Sequence, residues 1–152
     1  MKLFLVRHGE AKLESEDPER SLTEKGRMEA ERISQWAGKS GIKVKEIRHS
    51  GKKRAEQTAE IISKRIHPPK GVIRVTGISP NDDPFPIANL IDQEDEPLML
   101  VGHLPFLSRL ASHLLMNNSN CSLLQFPTAG MVCLEKIERQ WSLAWAITPD
   151  LV

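Results

Sequence analysis

The chain has 152 residues, 39% of them hydrophobic and 27% charged. That suits one domain with a core of its own, since a chain of about 150 residues buries roughly 68–70% of its unfolded surface. With 21 Lys+Arg against 20 Asp+Glu the formal net charge is +1, which speaks against a general nucleic-acid binder or a polybasic membrane protein. The balance conceals an asymmetry. Residues 1–76 hold 18 basic and 11 acidic side chains, whereas residues 77–152 hold 3 and 9. Two cysteines, Cys121 and Cys133, make no disulfide framework of the secreted type and read as buried or free thiols. The apolar run Leu3–Val6 is too short for a signal peptide or a membrane span. The expectation is a cytoplasmic protein.

In chain order, Leu3–Val6 reads as a strand buried on both faces. It stops at Arg7-His8-Gly9-Glu10, where glycine permits a sharp turn. Residues 11–21 are polar and contain Pro18, which predicts a loop. Thr23 is placed to cap a helix running to about Ala37, with Met28, Ile33, Trp36 and Ala37 on its apolar side and Gly38 and Gly41 ending it. Ile42, Val44 and Ile47 alternate with charged residues and suggest a second strand. Ser50-Gly51 marks a turn. A helix follows over Lys53 to Ile66, with Ala55, Thr58, Ala59, Ile62 and Ile66 at three- and four-residue spacing, and Pro68-Pro69 stops it.

Val72–Val75 suggests a weak strand, and Pro80, Pro84 and Pro86 punctuate a loop. Ile87, Ala88, Leu90 and Ile91 suggest a short helix. Pro97–Val101 reads as the second deeply buried strand, closed by Gly102-His103. Pro105 stands where the next helix would start, and that helix runs to about Met116. Met131–Ile137 and Trp141–Ile147 read as a terminal hairpin around Glu138-Arg139-Gln140. Alternating strands and helices predict a single-domain α/β fold with a mostly parallel central sheet flanked by helices.

Both buried strands end in a histidine, His8 and His103. Ligands of open parallel sheets bind beyond the carboxyl ends of the strands. Arg54 lies in the first turn of a helix that follows a strand. Its planar fork donates two hydrogen bonds to an oxyanion, and the helix N-terminus adds NH groups and a dipole.

Leu5-Val6-Arg7-His8-Gly9-Glu10 resembles the Arg-His-Gly motif of the histidine phosphatase superfamily, which includes phosphoglycerate mutases and acid phosphatases. Ser21-Leu22-Thr23-Glu24-Lys25-Gly26 resembles its Leu-Thr-x-x-Gly segment. Ser50 to Ala59 resembles its Ser-x-x-x-Arg-Ala-x-Gln-Thr-Ala segment, and Val101-Gly102-His103 its late Gly-His motif. Thr128-Ala129-Gly130 extends the likeness. The short chain, the run Asp17 to Thr23 and Gly102-His103-Leu104-Pro105 look most like the SixA-type phosphohistidine phosphatases.

The resemblance implies a phosphoglycerate mutase-like fold. It implies His8 as the nucleophile carrying a transient phosphoryl group, with Arg7, Arg54 and His103 binding the phosphoryl oxygens. It implies no metal and no cofactor, because arginine and histidine supply the positive charge. Phosphoryl transfer is mostly positioning and electrostatic stabilisation, and a histidine nucleophile splits it into transfer to enzyme and hydrolysis by water. Arg20 has two readings, a solvated loop charge or a further phosphate ligand of the SixA-type pattern.

A general acid for an alcohol leaving group has only Asp82, Asp83 and Glu10 as candidates, none in a convincing motif. With little room for a lid between Val75 and Pro97, this favours phosphohistidine on a protein as substrate. The expected partner is a histidine phosphotransfer or carrier protein of a phosphorelay, not nucleic acid or membrane. Lys43–Lys70, with nine basic and three acidic residues, is expected to steer an acidic phosphoprotein. The alternatives are a small-molecule phosphomonoesterase or mutase of the same superfamily, or a phosphate-binding module without turnover.

His49, His67 and His113 read as structural, Trp36, Trp141 and Trp145 as packing. The sequence departs from the family pattern at Gly51, where proline is frequent, and at Leu104 and Phe106, where SixA-type chains often have Asn and Gly.

Overall fold

The computed structural model describes residues 1–152. Ten regular elements follow one another: β1 (Lys2–Arg7), α1 (Glu24–Lys39), β2 (Ile47–His49), α2 (Lys53–Ile66), β3 (Val72–Arg74), α3 (Phe85–Asp92), β4 (Leu98–Gly102), α4 (Phe106–Met116), β5 (Met131–Ile137) and β6 (Gln140–Ile147). A 3-10 turn, Pro149–Leu151, closes the chain.

The strands form one six-stranded sheet in the order β3-β2-β4-β1-β5-β6. The first four of that order run parallel, and β5 and β6 are antiparallel additions on the β1 edge. The hairpin therefore completes the central sheet. Its turn is Glu138-Arg139 alone, with φ of 51° and 67°, and Ile137 pairs directly with Gln140. Positive φ at both central residues matches the right-handed twist of the strands.

Alternation along the strands separates two cores. Leu3, Leu5, Leu98, Leu100, Val132 and Leu134 face α3 and α4. Phe4, Val6, Met99, Val101, Met131 and Cys133 face α1 and α2. Because β1 and β4 lie in the middle of this three-layer arrangement, they carry no polar residue before their ends. The strands read as unbroken apolar runs for that reason.

Three sequence expectations shift. The strand expected over Ile42, Val44 and Ile47 is Ile47–His49 instead. Val44 is buried outside the ladder, and the charged residues that suggested alternation are tied into ion pairs. Arg48 binds Glu46 at 2.6 Å and Glu94 at 2.9 Å, and Lys45 also pairs with Glu94. The helix expected to end at Ala37 continues to Lys39. Gly38 faces α2, where an added Cβ would sit 3.3 Å from Cβ of Arg65, so this glycine serves helix packing. Pro86, expected to mark loop, occupies the first turn of α3, where its missing NH costs no hydrogen bond.

Candidate active site

The parallel register pairs Val6 with Val101 and Arg7 with Gly102. The next residues, His8 and His103, therefore leave neighbouring strand ends side by side. Their ring centroids lie 5.1 Å apart with planes tilted by 50°. Both are buried, His8 at 9% exposure and His103 at 1%. The backbone NH of His8 donates to the Gly102 carbonyl at 3.0 Å, which locks one strand end to the other.

His8 Nδ1 lies 2.7 Å from the carbonyl oxygen of Gly9. A carbonyl oxygen only accepts, so Nδ1 carries the proton and Nε2 of the neutral ring keeps its lone pair. His103 is held at its other nitrogen: Nε2 is 2.6 Å from Ser50 Oγ, whose oxygen also accepts from Lys52 NH at 3.3 Å. His103 Nδ1 is buried without a partner, as are Nε of Arg7 and Nε of Arg54. Buried polar groups are nearly always paired. Three unpaired nitrogens beside one histidine therefore mark a place for an acceptor-rich ligand.

The electrostatics agree. Burial, reinforced by the positive field of Arg54, Arg7 and Arg20 against the opposing pull of the Gly9 carbonyl, holds the His8 pKa down at about 4. Burial, with His8, Arg54, Lys52 and Arg20 adding repulsion, holds His103 down at about 3. Both rings are neutral at neutral pH. Burial also lowers the pKa values of Arg7 and Arg54, which start so far above neutrality that both stay charged.

The loops explain the motif spacings. In α2, Ala55 and Ala59 face the core. Thr58 Oγ1 accepts the Gly9 NH at 3.0 Å and donates to the Arg54 carbonyl at 2.8 Å. Gln57 Oε1 accepts the Leu22 NH at 2.8 Å. One helix thus positions Arg54, the turn after His8 and the entry to α1. Thr23 caps α1 by accepting the Gly26 NH at 3.0 Å, and a Cβ on Gly26 would come within 2.1 Å of the Glu10 carbonyl oxygen. Only glycine lets α1 approach the His8 loop this closely. Ser50, Gln57 and Thr58 carried no individual role in the sequence reading. They stood only as letters of the Ser50 to Ala59 motif, because the partners that give them roles, Gly9, Leu22 and His103, are distant in the chain.

Arg7 is oriented by donating to the Phe126 carbonyl at 2.9 Å. Ala129, with φ of 59°, donates its NH to the carbonyls of Arg7 and His8, which ties the Thr128-Ala129-Gly130 segment to the site. Arg20 has φ of 52° and donates from Nε to the Lys12 carbonyl at 3.1 Å. Its charge is felt by His8, Arg54 and His103.

The carboxylates are occupied elsewhere. Glu10 accepts from Thr23 Oγ1 at 2.8 Å, Asp82 from Ser79 NH at 2.8 Å and Asp83 from Phe85 NH at 3.0 Å. His49 accepts the Gly51 NH at 3.1 Å, His67 is the C-cap of α2, and His113 stacks edge-on with Phe85. Trp36 and Trp145 pack together, while Trp141 donates to Asp92 at 2.9 Å. Gly51 has φ of 89°, and its missing side chain leaves room for the Arg74 guanidinium. Proline, with φ fixed near −65°, does not fit that turn.

Residues 3–74 match the family model described as histidine phosphatase superfamily (branch 1). Together with the fold and the paired histidines, this match makes the chain similar to that superfamily, whose model it meets over residues 3–74 of 152. Among solved structures, the protein histidine phosphatase SixA complexed with tungstate is similar over 99% of both chains, with TM-score 0.88 and 21% identity. A SixA protein from Agrobacterium tumefaciens is similar over 97% of both chains, with TM-score 0.80 and 25% identity. A phosphoserine phosphatase from Entamoeba histolytica, in complex with 3-phosphoglyceric acid, covers 97% of this chain and 96% of its own, with TM-score 0.74 and 17% identity. No curated protein matches the sequence. Both Cys121 and Cys133 are free thiols, and no helix is long and apolar enough to cross a membrane.

Proposed function

We propose that the protein is a phosphohistidine phosphatase, acting in the cytoplasm on phosphohistidine carried by a protein such as a phosphotransfer or carrier protein. The observation that carries this reading is the histidine pair with opposite free nitrogens, set among buried arginine donors. Nε2 of His8 attacks the phosphorus, forming an N–P bond as the bond to the substrate imidazole breaks. The departing imidazole nitrogen takes up a proton from solvent water. Water then attacks phospho-His8, which releases inorganic phosphate and restores the neutral ring.

Arg7, Arg54 and Arg20 stabilise the charge on the equatorial oxygens, so positive charge is supplied without a metal. Ser50 donates its hydroxyl proton to His103 Nε2, which leaves the proton of the neutral ring on Nδ1. His103 Nδ1–H then donates to a phosphoryl oxygen. The carboxylates Glu10, Asp82 and Asp83 are all engaged in local hydrogen bonds, which favours a leaving group that departs readily once protonated.

The basic stretch expected to steer the partner contributes less than its count suggests. Lys45 and Arg48 are consumed by Glu94 and Glu46, and Lys53 lies 3.5 Å from Glu56. Of that stretch beyond Arg54, Lys52 is the residue whose charge reaches His103, and Arg20 adds to it from outside the stretch.

The second reading, a phosphomonoesterase of small phospho-acids, is favoured by the likeness to the phosphoserine phosphatase. A panel of phosphohistidine proteins and phosphate esters, run with wild type and His8→Ala, separates the two. His8-dependent release of phosphate from phosphohistidine with slow turnover of esters is the expected result. The reverse preference would overturn the proposal.

A further inference from the structure

A cleft of about 790 Å³ opens beside the phosphate-binding set, between the N-terminal part of α4 and residues 119–127. It shares Arg7 with that set and continues past Leu104 to Arg109, Cys121 and Gln125. This volume falls within the roughly 300–1,000 Å³ typical of small-ligand sites.

Its charge is one-sided. Two arginines line it and no aspartate or glutamate does. Arg7 is already used, by the Phe126 carbonyl and the phosphate set. Arg109 is half-buried, and its guanidinium makes no hydrogen bond and no ion pair within the protein. This stands out in a half of the chain with three basic residues. Of the others, Lys136 pairs with Asp92 at 3.1 Å, and Arg139 lies in the β5–β6 turn. An unpaired guanidinium in a cleft without carboxylates matches a carboxylate brought by the ligand, in the two-pronged geometry that arginine favours.

We propose that this cleft receives the chain segment of the substrate protein that flanks its phosphohistidine, and that Arg109 selects an aspartate or glutamate in that segment. The inference rests on the phosphohistidine reading above and deepens it. Arg109 touches the substrate away from the reacting phosphorus, so it governs binding and leaves the transfer step to the His8 set. Leu104, which replaces the Asn frequent in SixA-type chains, lines the same cleft and gives the segment an apolar contact.

The test compares wild type, Arg109→Ala and Arg109→Lys on four substrates. These are a phosphohistidine peptide with an aspartate within three positions of the phosphohistidine, the same peptide with asparagine there, p-nitrophenyl phosphate and 3-phosphoglycerate. Arg109→Ala is expected to lower kcat/KM for the aspartate peptide by at least about tenfold, mostly through KM, as for loss of a charged hydrogen bond. Arg109→Lys recovers part of the loss. The asparagine peptide and p-nitrophenyl phosphate change by less than twofold.

Equal loss on p-nitrophenyl phosphate would show a structural role and overturn the inference. So would wild type that hydrolyses both peptides alike, and in that case the phosphohistidine reading survives. Wild type inactive on both peptides, with Arg109-dependent turnover of 3-phosphoglycerate, would overturn both and give the cleft to a small phospho-acid.

Discussion

The two central strands are each followed by a histidine at the same register position, yet the two histidines are held in opposite ways. His8 is anchored through Nδ1 to its neighbour's carbonyl and leaves Nε2 open. His103 is anchored through Nε2 to Ser50, a residue 53 positions away, and leaves Nδ1 open and buried. Burial depresses both pKa values and keeps both rings neutral. A neutral imidazole is a donor at one nitrogen and an acceptor at the other. In the proposed function, with Ser50 donating to His103, the hydrogen bond at the anchored nitrogen makes one ring a nucleophile and the other a donor. Identity, burial and charge are shared; the proposed difference in role comes from one partner atom.

The strongest test of this asymmetry is to remove the open lone pair. His8→Ala should abolish any phosphoryl-enzyme trapped by alkaline quench and mass spectrometry, with turnover falling on the order of 10⁶-fold by analogy with loss of other covalent nucleophiles. His103→Ala should still trap phospho-His8, only slowly. Equal trapping by both variants, or by neither, would erase the distinction between the rings.

Arg54→Ala comes next. Loss of a preorganised donor to a developing oxyanion typically costs about 10²–10³ in kcat. Arg54→Lys should recover only part, because the fork is lost. Steady-state kcat within twofold of wild type would remove Arg54 from the reacting group.

The pKa values make a pH prediction that applies to both rings. Activity should persist on the acid side well below 6.5, with kcat/KM falling only as His8 protonates near about 4. An acid limb at 6.5 would mean that His8 is not desolvated. Stability should follow the same groups. Between 6.5 and about 4 the unfolded chain binds protons that the folded chain refuses, so stability is full above 6.5 and declines as pH falls through that window. Inorganic phosphate should blunt the decline in Tm, because the bound anion stabilises the protonated rings.

The smallest effect is expected at Ser50. Ser50→Ala removes one hydrogen bond, worth about 1 kcal/mol or roughly fivefold in rate. Its signature is spectroscopic: the 15N shifts of His103 should move toward a tautomer mixture while those of His8 stay in place. Ser50→Thr keeps the hydroxyl and should restore both rate and shifts. Unchanged His103 shifts in Ser50→Ala would show that the serine does not set the tautomer.

Much of this arrangement was legible before any coordinates. The unbroken apolar runs of β1 and β4 announced strands covered on both faces, and the family motifs pointed to Arg7, His8, Arg54 and His103. The short β2 escaped, because its flanking charges mimic the alternation of a half-exposed strand. Only the structure shows that Arg48 and Lys45 are gathered by Glu94 instead of alternating outward along a strand. The near-zero net charge likewise concealed where the free cations stand, since ion pairs consume part of the basic stretch and leave Arg109 unpaired.

What the sequence determined by itself was local: where strands and helices form, which residues cap and turn them, and which residue types can handle a phosphoryl group. Those follow from periodicity, backbone preference and side-chain chemistry, which neighbours along the chain are enough to express. The tertiary structure alone decided the open nitrogen on each histidine, the ties of Thr58 and Gln57 to the His8 and Leu22 loops, and the cleft that joins Arg7 to Arg109. Each depends on atoms that meet only when the sheet has brought distant segments to one edge, and a hydrogen bond has no sequence signature until both partners are in place.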